Sequence, residues 1–175
     1  MSHLNIVLFP DPILKMKAAP VKIIDKEIKE LMAEMTKMLY KKPAGGYAAP
    51  QFGILKRIIV VDDSYGKDPT RQFRMVNPEI IWASEEEVSM AEGCMSIPWG
   101  RVEVMRPEKV KIRYLNENGK MCETDIEEDY MGRCLQHEID HLDGILSLDH
   151  ATKIRREMFI KKINRRRELG KSFDD

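Results

Sequence analysis

The chain has 175 residues, 43% hydrophobic and 33% charged, with 29 Lys and Arg against 29 Asp and Glu. That composition suits one globular domain able to bury a core, and excludes a disordered or fibrous chain. Zero formal charge gives the molecule as a whole no bias toward nucleic acid or membrane. Cys94, Cys122 and Cys134 are odd in number and widely spaced, which argues against a disulfide framework and for a reducing compartment. The opening MSHLNIVLFPDP lacks a charged n-region and an apolar run of signal length, and no stretch approaches the ~20 apolar residues of a membrane span. The expectation is a cytosolic protein without disulfides.

In chain order, residues 4–9 read as an entry segment closed by PDP. From Asp25 to Tyr40, Ile28, Leu31, Met32, Met35, Met38 and Leu39 recur at helical spacing, with Asp25 as N-cap and Pro43 plus a glycine pair as terminator. The methionines are core filler. PAGGYAAPQFG is a loop by its Gly and Pro content. RIIVVDD has strand length and β-branching, and FRMVNPEIIWAS reads as one or two short strands. EKVKIRYL, residues 108–115, alternates and turns through NENG into KMCETDI as a hairpin. Helical period returns near Asp129 and ends at Gly144, a natural C-cap. The segment from about 150 to 175 is a basic amphipathic helix and tail, with Ile154, Met158, Ile160 and Ile163 as apolar members. The whole, 1–175, is a single α+β domain with mostly antiparallel strands around a central helix.

That central helix carries HEIDH, an H-E-x-x-H pattern. Residues four apart on a helix share a face, so His137 and His141 can reach one ion, with Glu138 beside them to take a proton from water. A surface helix with chance histidines is the plain alternative, and the apolar run around the motif argues against it. A catalytic site of this kind wants three protein ligands and one open position. Candidates for the third are His3, His150, a carboxylate or a cysteine. Cys94 in AEGCMSIP has the best context, following a glycine between strand-like segments; its alternative role is a small buried hydrophobe. Cys134, three residues before His137, reads as packing.

Three segments, AGGYAAPQ, EGCMS and QHEIDHLDG, resemble in order and spacing the signature motifs of the peptide deformylases: G-φ-G-φ-A-A-x-Q, E-G-C-x-S and Q-H-E-x-D-H, with φ hydrophobic. The flanks PDPILK, RIIVVD and EKVKIRYLNENGK are similar too, so the resemblance spans nearly the whole chain. It implies that Cys94, His137 and His141 hold a divalent metal, commonly Fe2+, with Zn2+, Ni2+ or Co2+ as other occupants. It implies that Glu138 shuttles a proton, and that the Gln51 amide and the Met95 backbone N–H stabilise the oxyanion. Gly46, Gly93, Arg101, Tyr130 and Arg133 would contact substrate. Glu92 would pair with Arg106, and Asp140 would accept an imidazole N–H or cap a nearby segment. The implied reaction removes the formyl group from the N-formyl-methionyl end of a new chain, releasing formate, in a bacterial cytoplasm or an organelle.

The first motif departs from the pattern. Ala44 stands where glycine is expected, Gly45 fills a hydrophobic position, and Tyr47 replaces a small aliphatic residue. An Ala forced to positive φ would cost on the order of 1 kcal/mol, and a shifted glycine pair is the plainer reading. Arg133 falls where the resemblance implies an aliphatic pocket wall; its guanidinium either snorkels out or makes the pocket narrower and more polar. Nine Lys and Arg against two Glu between Lys153 and Lys171 suit docking on ribosomal RNA, or simply form a solvated helix face. Two other readings stay open: a related metal-dependent amidase or peptidase of different acyl preference, and a non-catalytic binder of formylated peptides or ribosomes.

Overall fold

The computed structural model describes residues 4–42, 44–127 and 130–170, apart from the Trp99 side chain. His3, the Pro43 terminator, the helix start near Asp129 and the tail beyond 170 lie outside the described residues. Among the described residues three α-helices, α1 (Lys26–Lys41), α2 (Tyr130–Leu142) and α3 (Lys153–Glu168), combine with seven strands. β1 (Gly46–Ala48), β2 (Ile58–Asp62), β3 (Gln72–Ala83), β6 (Val110–Leu115) and β7 (Met121–Ile126) form an antiparallel sheet in that order. β4 (Glu87–Cys94) and β5 (Ile97–Pro107) form a separate antiparallel hairpin.

The apolar run IIVV has no alternation because β2 is covered on both faces. Ile58 and Val60 pack with Met32, Met35 and Leu39 of α1, whereas Ile59 and Val61 pack with Leu135, Ile139 and Leu142 of α2. The Asp25 carboxylate caps α1 by accepting from the Ile28 N–H at 3.0 Å. A third apolar cluster joins Leu14, Val102, Val104, Leu148 and Ile163, tying the hairpin to the chain termini. No helix among the described residues is long and apolar enough to cross a membrane, and Cys94, Cys122 and Cys134 are free thiols.

Two sequence expectations need correction. QFRMVNPEIIWA is one twelve-residue strand with register shifts, longer than the one or two short strands expected. Asn77, at φ 50°, forms the kink and uses its amide to pair with the Val21 N–H and C=O, both at 2.8 Å. The apolar stripe expected on α3 is mostly outside: Ile163 is buried, while Ile154 and Met158 are 72% and 66% exposed.

Candidate metal centre

α2 is buried on nearly every side, including Arg133, Gln136, His137, Glu138 and His141. Such a helix persists only if its polar groups are satisfied. It ends in a Schellman arrangement, in which Ile145 N–H donates to the Asp140 carbonyl and Gly144 N–H to that of His141. Gly144 sits at φ 70°, and a Cβ there would meet the Lys15 carbonyl oxygen at 2.5 Å. The helical offset brings the His137 and His141 rings to a centroid separation of 5.0 Å, edge to face. β4 delivers the third group. The register shifts between Gly93 and Cys94, and the thiol arrives beside the helix, with its Sγ 3.3 Å from His141 Nε2. One ligand atom from each of Cys94, His137 and His141 lies within 4.8 Å of the others.

The donor set fits a divalent transition metal. One sulfur and two imidazole nitrogens form a borderline-soft, three-protein-ligand group that leaves a coordination position open. His137 Nδ1 donates to Glu92 Oε2 at 2.9 Å, which fixes the tautomer and frees Nε2 for an ion. Glu92 is itself held bidentately, by Arg106 Nε at 2.6 Å and Nη2 at 2.9 Å. Arg106 Nη1 donates to Asp140 Oδ2 at 2.8 Å, and His150 Nε2 donates to the same oxygen at 2.8 Å. A continuous chain of hydrogen bonds therefore runs from exposed His150 to His137. Of the two Asp140 alternatives the contacts match the first: its carboxylate meets the His150 imidazole, and it also anchors Arg106.

Electrostatics follow from this packing. Burial works against ionised Glu92, but hydrogen bonds from His137 and Arg106 and the Arg106 charge hold its pKa down at about 2. Burial also disfavours a charged His137, yet hydrogen bonds with Cys94 and Glu92 raise its proton affinity well above the ordinary value. A metal ion seeks the same lone pair and the same negative field. His141 is held well below the ordinary value by burial and by the positive charges of His137 and Arg106, so it is a neutral donor. Burial pushes Glu138 up to about 7, with His137 opposing and Glu92 reinforcing. A carboxyl near that value can both take and return a proton at neutral pH. Glu138 Oε2 and His141 Nδ1 are buried without a hydrogen-bond partner among the described residues.

A cavity of about 440 Å³ opens beside these groups, lined among others by Gln51, Cys94, Met95, His137 and Glu138. His141 stands behind it, 1% exposed. The Ala48 N–H holds Gln51 Oε1 at 2.8 Å, which turns Nε2 toward Ser96 Oγ at 3.3 Å and Cys94 Sγ at 3.7 Å. Ser96 supports this amide, and nothing beyond its place in EGCMS singles it out in the sequence. Gly46, Gly93, Arg101, Tyr130 and Arg133 all line the cavity.

Gly45 and Gly46 of the divergent first motif do not have positive φ. The glycine pair serves close approach instead. A Cβ on Gly46 would fall 2.7 Å from Glu138 Cγ, and one on Gly45 would fall 2.3 Å from Cys134 Sγ. Tyr47 points away from the cavity into the α1 cluster, stacking obliquely on Phe52. Arg133 neither snorkels nor offers its charge to the cavity. Its guanidinium donates to the carbonyls of Val104 at 3.0 Å and Val88 at 2.6 Å, and lies 3.4 Å from Glu92 Oε1, pinning the β4–β5 hairpin to α2.

Comparison with known proteins agrees in extent and in shape. The chain is 41% identical over 165 residues to a peptide deformylase of Phenylobacterium zucineum, covering 94% of this chain and 97% of that protein. It is 43% identical over 171 residues to peptide deformylase 1 of Rickettsia conorii, covering 94% and 97%. The crystal structure of a peptide deformylase from Legionella pneumophila superposes with a TM-score of 0.88 at 34% identity, over 97% of this chain and 98% of that one. The peptide deformylase of Ehrlichia chaffeensis in complex with actinonin gives 0.86 at 33% identity, over 95% and 98%. The polypeptide deformylase family model matches residues 3–157, which take in all three motifs and every group around the cavity, and the chain belongs to that family.

Proposed function

We propose that this protein is a metal-dependent hydrolase that removes the N-formyl group from the formyl-methionyl end of newly made chains, releasing formate. The observation that carries this reading is the convergence of Cys94, His137 and His141 beside Glu138 and Gln51 at one cavity. Cys94, His137 and His141 would hold the ion, and Fe2+ is the occupant we favour. A divalent ion in such a set supplies water acidified to a pKa near 7 and polarises a carbonyl.

The protein's own groups do the rest. A formamide is a poor electrophile, so its oxygen needs stabilisation as negative charge develops. Gln51 Nε2, held by the Ala48 N–H, and the Met95 backbone N–H donate to that oxygen; each well-placed donor is worth about 3 kcal/mol. Glu138 takes a proton from the attacking water at a carboxylate oxygen and delivers it to the leaving amine nitrogen, worth roughly 10²–10⁴-fold. Glu92, oriented by Arg106, keeps the His137 ring aimed. Gly46, Gly93, Arg101, Tyr130 and the Arg133 stem line the substrate's path.

A different acyl preference resting on Arg133 or Tyr47 has little support, since Arg133 is engaged with Glu92 and two carbonyls and Tyr47 lies in the core. A non-catalytic binder would have no use for a buried Glu138. The exposed Lys and Arg residues of α3 support a docking role on the ribosome, and the bacterial relatives support a cytoplasmic setting. The test is formate release from a formyl-Met tripeptide, using protein purified without oxygen and loaded with Fe2+ or Ni2+. Release from the wild type that Glu138→Ala abolishes, with metal content unchanged, is expected. No release at one bound metal per chain would sink the reading.

A further inference from the structure

A second concavity, about 710 Å³, lies between β5 and α3 and has no part in the chemistry above. Its apolar wall comes from Val102 and Met105 on the strand and from Met158 and Phe159 on the helix, with Leu148 also lining it. Met105 and Met158 are 52% and 66% exposed, so flexible, polarisable side chains face water here without an internal partner to cover them. Arg101, Arg155 and Lys162 also line it, against one acid, Glu103, which already accepts from Ser89 Oγ at 3.1 Å.

The groove joins the active-site cavity. Arg101 lines both. Gly100 of the active-site cavity is packed so closely under Phe159 that a Cβ there would fall 2.3 Å from the ring. The two spaces therefore meet at Gly100–Arg101. A formylated chain seated by its first residues must leave the cavity somewhere, and at about 3.3 Å per extended residue a few further residues reach a neighbouring surface.

We infer that the β5–α3 groove is an extension of the substrate site that holds residues downstream of the formyl-methionine, with preference for apolar and acidic side chains. The inference rests on the deformylase reading. Its basis is the continuity through Arg101, the apolar wall and the basic rim. A short substrate leaves the groove empty; a longer one gains affinity there without touching the reacting atoms.

The experiment compares a formyl-Met tripeptide with two formylated nonapeptides sharing its first three residues, one continued with Leu, Phe, Asp and Glu, the other with Gly, Ser and Lys. The metal-loaded wild type is expected to show a KM roughly 10-fold lower for the apolar–acidic nonapeptide, the scale of one well-buried apolar side chain, with kcat unchanged. Met158→Asp and the pair Arg155→Glu with Lys162→Glu should erase that advantage while tripeptide kinetics stay as in the wild type. Equal KM values for all three peptides in the wild type would overturn the inference, as would variants that slow tripeptide and nonapeptide alike. Ribosome binding lost in Met158→Asp with peptide kinetics unmoved would assign the groove to the ribosome and overturn it too. If the tripeptide itself is not cleaved, the deformylase reading is what fails. The groove is then read by anisotropy of the labelled apolar–acidic nonapeptide, where equal binding to wild type and Met158→Asp overturns it.

Discussion

Helices α2 and α3 both carry apolar residues three and four apart, yet the fold treats them oppositely. α2 is buried on almost every side although its buried set includes an arginine, a glutamate, a glutamine and two histidines. α3 carries exposed Ile and Met and buries only Ile163 fully. α2 is the more apolar of the two, but that alone does not admit its buried charges. α2 goes inside because partners wait for its polar groups: the Val88 and Val104 carbonyls for Arg133, the Pro107 carbonyl for Gln136 and Glu92 for His137. α3 carries a run of like charges on a mostly exposed surface, so it stays outside and contributes one wall of a groove.

The sharpest way to break the contrast is to remove a partner under α2. Arg106→Ala would leave Glu92 and Asp140 without their principal cation, and a buried pair broken from one side costs about 3–5 kcal/mol. Urea unfolding should show that loss, and competition with a chelator should show metal affinity falling by roughly 10–100-fold. Retained metal affinity would mean that His137 is oriented by something other than Glu92. Matched truncations sharpen the comparison next. Leu135→Ala in α2 should cost about 2–5 kcal/mol, whereas Ile154→Ala in α3 should stay within roughly 0.5 kcal/mol. Similar losses at both sites would show that α3 is covered in solution. Gly46→Ala comes third, because the added methyl would fall 2.7 Å from Glu138 Cγ and 2.9 Å from Val61 Cγ2. We expect about 1–3 kcal/mol of destabilisation from overpacking and a fall in kcat larger than any rise in KM. An unchanged kcat would show that Glu138 tolerates displacement.

Much of this was legible in the residues and some was not. The α1 span and its Asp25 cap, the β6–β7 hairpin and the H-E-x-x-H helix followed from periodicity and turn chemistry, which are local properties. Cys94 was only one of several possible third ligands until the motif order implied it, because nothing local to AEGCMSIP says which helix it will face. The network Glu92–Arg106–Asp140–His150 was half visible. Glu92 with Arg106 could be paired across a hairpin, but the Asp140 partner depends on where residues 147–150 turn back over α2, a tertiary fact. The place of the Arg133 guanidinium is hidden for the same reason, because the carbonyls that receive it belong to a separate hairpin. The exposure of Ile154 and Met158 was likewise hidden, since periodicity reports that a face is apolar and not whether anything covers it.

The smallest effect concerns how α3 is fastened. Asp149, just before the helix, accepts from Lys15 Nζ at 2.5 Å and from the Leu146 N–H at 2.7 Å, and its Oδ1 lies 3.6 Å from Arg156 Nη1 in the first turn of α3. Burial alone would raise its pKa, but the hydrogen bonds from Lys15 and Leu146, with the Lys15 and Arg156 charges, hold it below the ordinary carboxylate value. A depressed folded-state pKa means that the unfolded chain binds the proton more readily. The stabilisation is therefore complete above the unfolded value near 4 and is lost as pH falls through the lower folded one. Asp149→Asn should accordingly be less stable than wild type by up to about 1 kcal/mol at pH 6, a figure kept small because the pair is partly exposed. The difference should close below about pH 4 as the wild-type carboxyl protonates, and should shrink in high salt. Metal loss in acid affects both proteins alike and cancels. A gap that stays constant from pH 3 to pH 7 would mean that the shape of the side chain, and not its charge, fastens this corner, and that α3 is held by Phe159 and Ile163 alone.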